Sequence, residues 1–440
     1  MQRAASTFNY HLCMAAPPSH TLVLSFEDAR RVVEDHASHV LLGGHETVDL
    51  LHAGGRTLAE PITADRDIPP FPRSTRDGYA VRSADLAPLP AKLKVIGEIK
   101  AGPESANALP ALDQGETFSI MTGAPAPQGA DAVVMVEYTS LQNEHVTITK
   151  GIAAGENIVA RGAEARSGGL LLNSGTRLKE AAIALAASVG KSRLQVFVRP
   201  RVAVLTTGDE IADVDDARIG PTQIRNSNSF SLAAQIQEAG GEPVLLPIAP
   251  DEQQRLRQLM EQGLHADLLL MTGGVSMGRY DLVEQVLAEM RAEFFFTGAR
   301  IQPGRPVVFG RVPCVANAPA SAGAPAPPHK YFFGLPGNPV STMVTCELFV
   351  RPMLEALAGM SPQPLPFLHT RLKSEIRVKP GLTRFLPAVL SGQYDNSQAE
   401  LVSWQGSGDI AARTRSNCLL VIPPDREHIL AGEWVAILLR

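Results

Sequence analysis

From Arg201 onward, short apolar runs alternate with segments of helical periodicity, and this alternation constrains the fold more than any other feature of the chain. The apolar runs predict strands over residues 202–205, 243–248, 266–271 and 331–333. The periodic segments predict helices over residues 229–239, 252–262, 282–290 and 338–357. Strands that alternate with such helices form right-handed βαβ units. We therefore predict an α/β domain with a parallel sheet over residues 199–358.

Glycine-rich turns follow three of these predicted strands directly, over residues 206–210, 272–278 and 334–339. The carboxyl ends of parallel strands lie at one edge of a sheet, so the turns are expected to converge on one ligand. Glycine lets backbone N–H groups approach an anion, and a following helix N-terminus adds partial positive charge. The turns therefore predict a site for a phosphorylated or oxyanionic ligand.

Composition argues against several other classes of protein. No apolar run reaches the roughly 18 residues of a membrane span. The formal net charge of −5 argues against bulk nucleic-acid binding. The four cysteines lie far apart without a CxxC pair, so neither a disulfide framework nor a zinc site is indicated. The first residues lack the apolar core of a secretory signal, and we expect a disordered tail over residues 1–22 and a cytoplasmic protein.

The rest of the chain predicts smaller modules, which makes the protein an α/β multidomain protein. Residues 23–60 and 155–198 form a mixed N-terminal domain with helical segments, and Ser25 is predicted to cap a first helix that extends as far as Leu42. Residues 61–154 contain short alternating runs, typical of an inserted β-rich domain. After a proline-rich linker, residues 359–440 show the short runs of a small β-barrel. An Ala- and Pro-rich insertion covers residues 312–329.

Several motifs have more than one interpretation when they are taken singly. Asp209 and Glu210 could hold a divalent cation that bridges phosphate oxygens, or could simply belong to a loop or cap. Asp281, just before a predicted helix, fits a metal ligand or an N-cap equally well. The turn over residues 301–306 presents Arg305, whose planar donors suit a tetrahedral oxyanion, although a solvated surface arginine explains it as well.

Three other motifs are weaker. Residues 274–278 match the GxSxG nucleophile elbow, but the later histidines fall in the insertion, the linker and the last β module, which disfavours a hydrolase. Residues 45–49 (HETVD) miss the HExxH metal motif at its last position. No P-loop motif occurs in the chain.

Taken together and in this order, six motifs closely resemble the molybdopterin molybdenumtransferase family, which inserts molybdate into molybdopterin and includes the E domain of gephyrin. The motifs are 77–81 (DGYAV), 121–125 (MTGAP), 207–210 (TGDE), 273–276 (GGVS) with Gly278 and Asp281, 303–306 (PGRP) and 334–341 (GLPGNPVS). The resemblance covers about residues 25–440. Each motif is weak alone, but the ordered set is highly specific.

The resemblance implies an elongated homodimer of four-domain subunits. The N-terminal domain would dimerise, the α/β domain would bind molybdopterin, and the inserted β-rich domain and the C-terminal β-barrel would complete the subunit. The implied reaction binds adenylylated molybdopterin, cleaves its pyrophosphate bond with Mg²⁺, and transfers molybdate to the dithiolene with release of AMP. A molybdopterin adenylyltransferase and apo-molybdoenzymes are the implied partners besides the small-molecule substrates.

The resemblance also assigns residues. The catalytic set is Asp77, Thr122, Glu210, Asp251 and Asp281, of which Glu210 and Asp281 would hold the metal and Asp77 and Thr122 would face the α/β domain of the other subunit. The molybdopterin-binding set is Thr207, Gly208, Asp209, Gly273, Gly274, Val275, Ser276, Gly278, Pro336, Gly337, Asn338 and Pro339. The molybdate set is Arg305, Pro306, Ser341, Arg384 and Ser407.

Two departures from the family pattern and two rival functions remain open. Gln302 and Arg305 stand where the family usually shows Lys-Pro-Gly-Lys-Pro, with the loss of one positive charge, and Glu164 stands where an aspartate is common. A molybdopterin adenylyltransferase is one rival, since a related α/β domain has that activity. A catalytically silent molybdopterin-binding scaffold is the other.

Overall fold

The computed structural model describes residues 22–102, 111–274, 282–313, 329–360 and 363–439, and the chain divides into two compact units. The larger unit lies within Met1–Glu46, Gly55–Thr57 and Val196–Arg440, and the smaller unit comprises Thr47–Gly54 and Leu58–Gln195. No helix in the described ranges is both long enough and apolar enough to span a bilayer. Most of the predicted tail and of the 312–329 insertion lies outside these ranges.

The larger unit begins with strand β1 (Val23–Leu24) and helix α1 (Phe26–Ala37). Ser25 caps the helix, as its predicted start requires, because the serine side chain accepts a hydrogen bond from the Asp28 N–H at 3.0 Å. The helix ends at Ala37, although the sequence predicted helix as far as Leu42. The chain turns at Ser38, and Leu41 beyond it is 90% exposed, so no apolar contact extends the helix.

Residues 45–197 contain mostly short strands and one helix. The strands are β2 (His45–Asp49), β3 (Ile62–Thr63), β4 (Arg73–Ser74), β5 (Gly78–Val81), β6 (Ala91–Ile99), β7 (Glu116–Ile120), β8 (Ala132–Met135), β9 (Thr139–Gln142), β10 (His145–Ile148), β11 (Ile158–Val159), β12 (Leu170–Leu172) and β13 (Arg193–Phe197), with helix α2 (Glu180–Ser188) before β13. Six of them form a sheet in the order β8-β5-β7-β6-β10-β9. Strand β5 is buried, and a Cβ on Gly78 would lie 1.9 Å from the Val134 carbonyl oxygen, so only glycine fits there.

The α/β domain begins at β14. Its elements are β14 (Arg201–Thr206), β15 (Ile211–Ala212), β16 (Ile224–Arg225), α3 (Asn228–Glu238), β17 (Glu242–Leu245), α4 (Gln253–Gly263), β18 (Leu268–Thr272), α5 (Leu282–Glu289), β19 (Glu293–Phe296), β20 (Gly298–Ala299), β21 (Ile301–Gln302), β22 (Val308–Pro313), β23 (His329–Leu335), α6 (Pro339–Thr345) and α7 (Arg351–Leu357). A short π-helix (Cys346–Val350) joins α6 to α7, so the long helix predicted over residues 338–357 is essentially continuous.

The main sheet has the order β17-β14-β18-β23-β22-β19. The first four strands are the four predicted from the sequence, and they are parallel, as predicted. The sequence did not predict β22 and β19, which extend the sheet, each paired antiparallel to its neighbour. The segment between β19 and β22 contains no helix, and a parallel pair would require a crossover of that kind. Alternate residues of β14 face two cores, Val202 and Val204 on one side and Ala203 and Leu205 on the other, which is typical of a sheet covered by helices on both faces.

The C-terminal residues form the predicted β-barrel. The elements are β24 (Phe367–Leu372), β25 (Ile376–Arg377), β26 (Thr383–Ser391), β27 (Gln398–Leu401), α8 (Ile410–Thr414), β28 (Cys418–Ile422), β29 (His428–Ile429) and β30 (Trp434–Leu439). The strand order β26-β27-β24-β30-β28 closes on itself because β28 also pairs with β26. Closure removes the exposed edges, which lets a small sheet bury an apolar interior.

Candidate active site

The three glycine-rich turns converge at one edge of the main sheet. Thr206 at the end of β14 pairs with Thr272 at the end of β18, and Thr272 pairs in turn with Leu335 at the end of β23. The chain crosses from β14 to β17 on one side and returns to β18 on the other, so the ends of β14 and β18 form the topological switch point of the sheet. Ligands of open α/β sheets bind at such a point.

A cavity of about 320 Å³ lies at this switch point, within the larger unit. Eight predicted site residues line it: Thr207, Glu210, Gly273, Gly274, Pro306, Pro336, Gly337 and Asn338. Helix α3 begins at the cavity, since Asn228 lines it too. The switch point therefore combines three turns with a helix N-terminus, an arrangement that favours an anionic group.

Sequence reasoning missed the polar residues that link these turns. The Asn228 side-chain Nδ2 donates to Thr272 Oγ1 at 2.9 Å and to the Gly337 carbonyl at 2.8 Å, and Thr272 Oγ1 donates to the Pro336 carbonyl at 3.1 Å. Beneath them, Thr206 Oγ1 and Ser229 Oγ lie 2.9 Å apart. The signal available in the sequence was the polar run over residues 226–229 (NSNS), which lies between the first turn and the predicted helix. Such a run is typical of an ordinary helix start.

Two glycines of the turns, Gly208 and Gly273, use their N–H groups within the protein. The Gly208 N–H donates to the Ala249 carbonyl and the Gly273 N–H to the Leu335 carbonyl, so these two groups extend the sheet hydrogen bonding. Gly273 has a φ of +88°, and a Cβ there would lie 2.4 Å from the Thr207 carbonyl oxygen. The glycines at this point let the turns pack against each other.

Three acids lie beside the cavity. The Asp251 N–H donates to Asp209 Oδ1 at 3.1 Å. Partial burial, together with the charges of Asp209 and Glu210, raises the pKa of the Asp251 carboxyl above its usual range. The described residues contain no group of three or more His, Cys, Asp or Glu with metal-binding geometry. Asp281, Val275, Ser276 and Gly278 lie outside the described residues.

Three of the five predicted molybdate residues, Arg305, Pro306 and Arg384, lie where the turn after β21 meets the barrel. Arg384 on β26 is 6% exposed, and its guanidinium donates from Nε to Gln302 Oε1 at 2.8 Å and from Nη1 to the Leu382 carbonyl at 3.2 Å. Arg305 is exposed. No ion pair to Arg384 is found within the described ranges, and burial lowers the pKa of its guanidinium.

The other two members of this set join the loops around α6. Ser341 on α6 is buried, and its neighbour Val340 donates its N–H to the Ser407 carbonyl at 2.9 Å. Pro339 is the first residue of α6, which suits a ring that fixes φ and needs no N–H donor. The barrel therefore contacts the third glycine-rich turn through its Ser407 segment.

In the smaller unit, Asp77 and Thr122 form one polar turn. The Thr122 N–H donates to Asp77 Oδ1 at 2.6 Å, and Thr122 Oγ1 donates to the same oxygen at 2.9 Å. These two hydrogen bonds lower the pKa of the Asp77 carboxyl, although the side chain is fully exposed. Glu164, which departs from the family pattern, accepts a hydrogen bond from Arg73 Nη2 at 2.8 Å.

Three domain families match the chain in succession. Residues 24–190 match the MoeA N-terminal region, described as domains I and II. Residues 203–356 match the probable molybdopterin binding domain, and residues 369–439 match the MoeA C-terminal region, described as domain IV. The predicted domain boundaries themselves stay predictions.

Full-length relatives and solved structures resemble the chain over most of its length. A molybdopterin molybdenumtransferase of Nostoc sp. is 34% identical over 402 residues, covering 89% of this chain and 88% of the relative. One of Bacillus subtilis is 33% identical over 401 residues, with coverage of 89% and 88%. The molybdopterin biosynthesis moeA protein of Pyrococcus horikoshii has a TM-score of 0.73 at 28% identity, covering 95% of this chain and 100% of that structure. With the ordered motifs and the switch-point cavity, these matches show that the chain belongs to the molybdopterin molybdenumtransferase family.

Proposed function

We propose that this protein transfers molybdate to adenylylated molybdopterin and releases AMP. The cavity at the switch point is the observation that carries the proposal, because three turns and the N-terminus of α3 surround it. Such a cavity favours a ligand with phosphate groups. The names of the relatives supply the chemical class of that ligand, a molybdopterin.

Mg²⁺ is part of the proposal, with Glu210 and Asp281 as its ligands. Burial is the main cause of the raised pKa of Asp251, and the charges of Asp209 and Glu210 raise it further; this negative potential is one that a divalent cation would relieve. When bound, the ion would stabilise charge on the pyrophosphate oxygens as a Lewis acid. Asp209 orients the Asp251 segment through its hydrogen bond to the Asp251 N–H.

Arg384 and Arg305 are proposed to hold molybdate, with Pro306, Ser341 and Ser407 around them. Arg384 donates only to neutral oxygens in the described part of the chain, so its charge is available to an oxyanion. Gln302 stands where the family usually has a lysine. Its side-chain oxygen accepts a hydrogen bond from Arg384 Nε, so Gln302 orients the Arg384 guanidinium.

We infer that the protein acts as a cytoplasmic homodimer, and that Asp77 and Thr122 of one subunit serve the site of the other. Asp77 supports this inference because its turn holds an exposed carboxylate in its ionised form. A molybdopterin adenylyltransferase would supply the substrate, and apo-molybdoenzymes would take the product.

The test incubates the purified protein with adenylylated molybdopterin, Mg²⁺ and molybdate, and follows AMP release and activation of an apo-molybdoenzyme. We expect both, each dependent on molybdate. Ligand binding without AMP release would favour the silent scaffold. Formation of adenylylated molybdopterin from molybdopterin and ATP would favour the adenylyltransferase.

A further inference from the structure

Asn228 lines the cavity, and the oxygen of its side chain has no hydrogen-bond partner. Asn228 is 8% exposed, and its Nδ2 group already donates to Thr272 Oγ1 and to the Gly337 carbonyl. Its Oδ1 atom is buried and has no hydrogen-bond partner. A buried acceptor without a partner is costly to keep, so its presence in the wall of a cavity points to a ligand.

The contacts also fix which atom of the carboxamide is free. The Gly337 carbonyl can only accept a hydrogen bond, so the atom that faces it must be the nitrogen. Both hydrogens of that nitrogen are then used, one on each of two turns. The atom left for a ligand is therefore an oxygen that accepts and cannot donate.

A second polar atom in the cavity wall lacks a partner as well. Thr207 is 3% exposed, and its Oγ1 is buried without a hydrogen bond. Glycine at 274 leaves room for this hydroxyl, because a Cβ there would lie 2.8 Å from Thr207 Oγ1. A hydroxyl can donate to a phosphate oxygen, whereas Asn228 Oδ1 and an ionised phosphate oxygen are both acceptors.

We propose that Asn228 determines specificity in this cavity by accepting a hydrogen bond from an N–H or O–H group of the organic part of the ligand. The donor is a pterin N–H or a ribose hydroxyl, and Thr207 serves the neighbouring phosphate. The inference rests on the proposed function for the identity of the ligand. A site that offers a buried acceptor rejects ligands that present only acceptors, because the acceptor then stays unpaired.

The test compares Asn228→Ala with wild type in the binding of three probes: pyrophosphate, AMP and molybdopterin, by titration calorimetry at fixed Mg²⁺ and salt. Asn228→Ala also removes the contacts to Thr272 and Gly337, so we expect pyrophosphate affinity to fall by a small factor common to all probes. Beyond that factor, we expect the affinity for the donor-bearing probe to fall roughly a further threefold to tenfold, the effect of one hydrogen bond. A loss with AMP alone assigns the donor to the ribose, and a loss with molybdopterin alone assigns it to the pterin.

Thr272→Val is the matched control. It removes the hydroxyl that accepts from Asn228 and donates to Pro336, but leaves Asn228 Oδ1 in place. We expect it to change the affinities for all three probes by a common factor. If Asn228→Ala also changed all three equally, or changed none, the proposal would be overturned.

Thermal melting checks that each variant is folded. If Asn228→Ala unfolds, Asn228→Ser replaces it in the binding test. The serine removes both contacts to the turns but keeps a hydroxyl. We then expect the same selective loss, in smaller measure. A wild-type protein that releases no AMP in the assay above would refute the proposed function, and the binding comparison would still decide the role of Asn228.

Discussion

Asp77 and Asp251 are both expected to act in catalysis, but their surroundings shift their pKa values in opposite directions. Asp77 lies in the smaller unit and accepts two hydrogen bonds from Thr122, which lower its pKa. Asp251 lies in the larger unit, where burial and the charges of Asp209 and Glu210 raise its pKa. The Asp77 carboxylate is stabilised by hydrogen bonds from Thr122, whereas burial and neighbouring charges destabilise the Asp251 carboxylate, a cost that the proposed cation would relieve.

This difference separates a preorganised group from a group that depends on a ligand. The Asp77 charge is favoured in the free protein, so it is ready to act before substrate binds. Asp209, Glu210 and Asp251 repel each other beside the cavity, and in the proposed function a bound cation would relieve that repulsion. The two carboxylates should therefore respond differently to substitution, to Mg²⁺ and to pH.

The largest expected effect is that of Asp77→Asn on turnover. The amide oxygen can still accept the Thr122 hydrogen bonds, so the turn should keep its shape while the charge is lost. We expect AMP release to fall by about 100-fold, the scale on which removal of one preorganised electrostatic group acts. Steady-state AMP release measures it, and a fall of less than twofold would remove Asp77 from the chemistry.

Thr122→Val is the graded control for Asp77→Asn, because it removes one of the two donors and leaves the backbone N–H. We expect a loss of a few fold. Mixing Asp77→Asn with Glu210→Gln subunits then tests the dimer: random exchange would restore about a quarter of wild-type activity if the two residues come from different subunits. No recovery would place them in the same subunit.

An intermediate effect is expected from Glu210→Gln on the dependence on Mg²⁺. Loss of a cation ligand should raise the Mg²⁺ concentration for half-maximal AMP release by about tenfold or more. Glu252→Gln is the matched control, because it removes a neighbouring charge that does not contribute to the raised pKa of Asp251. Equal shifts in the two variants would indicate a general charge effect instead of a metal site.

The smallest effect is that of Asp251→Asn on stability without divalent cations. The Asp251 pKa is raised above 3.8 in the native state, so its ionised form destabilises the fold at neutral pH, and a neutral amide should remove that cost. We expect the melting temperature at pH 7 to rise by no more than about 2 °C, because solvent screens the exposed side chain. The gain should disappear as the pH falls toward 3.8.

For Asp77→Asn we expect the opposite change in melting temperature at pH 7, a decrease. The lowered pKa of Asp77 means that its ionised form favours the native state above pH 3.8, and this contribution is lost as the pH falls through the native pKa. Melting curves of both variants from pH 3 to 7 measure the direction of each change in melting temperature. A decrease in melting temperature for Asp251→Asn at pH 7 would contradict the comparison.

Much of the fold follows from local patterns. Ser25 caps α1 as predicted, because an N-cap depends on a local hydrogen bond, and strand β14 forms where the apolar run over residues 202–205 predicts it. The antiparallel strands β19 and β22 were missed, because strand direction depends on which neighbour a strand pairs with. Helix α1 was predicted too long because the chain turns at Ser38, and Val40 packs against the core from beyond the end of the helix.

The candidate site likewise has features that follow from local sequence and features that depend on distant contacts. The three turns and the acidic residues beside them could be predicted from local sequence, because a turn depends on glycine, proline and short polar side chains that are neighbours in the chain. The role of Asn228 depends on the fold, because its partners lie 44 and 109 residues away. The same holds for Arg384, which Gln302 orients from 82 residues away. Such contacts depend on strand order and on the packing of turns, and local patterns do not contain that information.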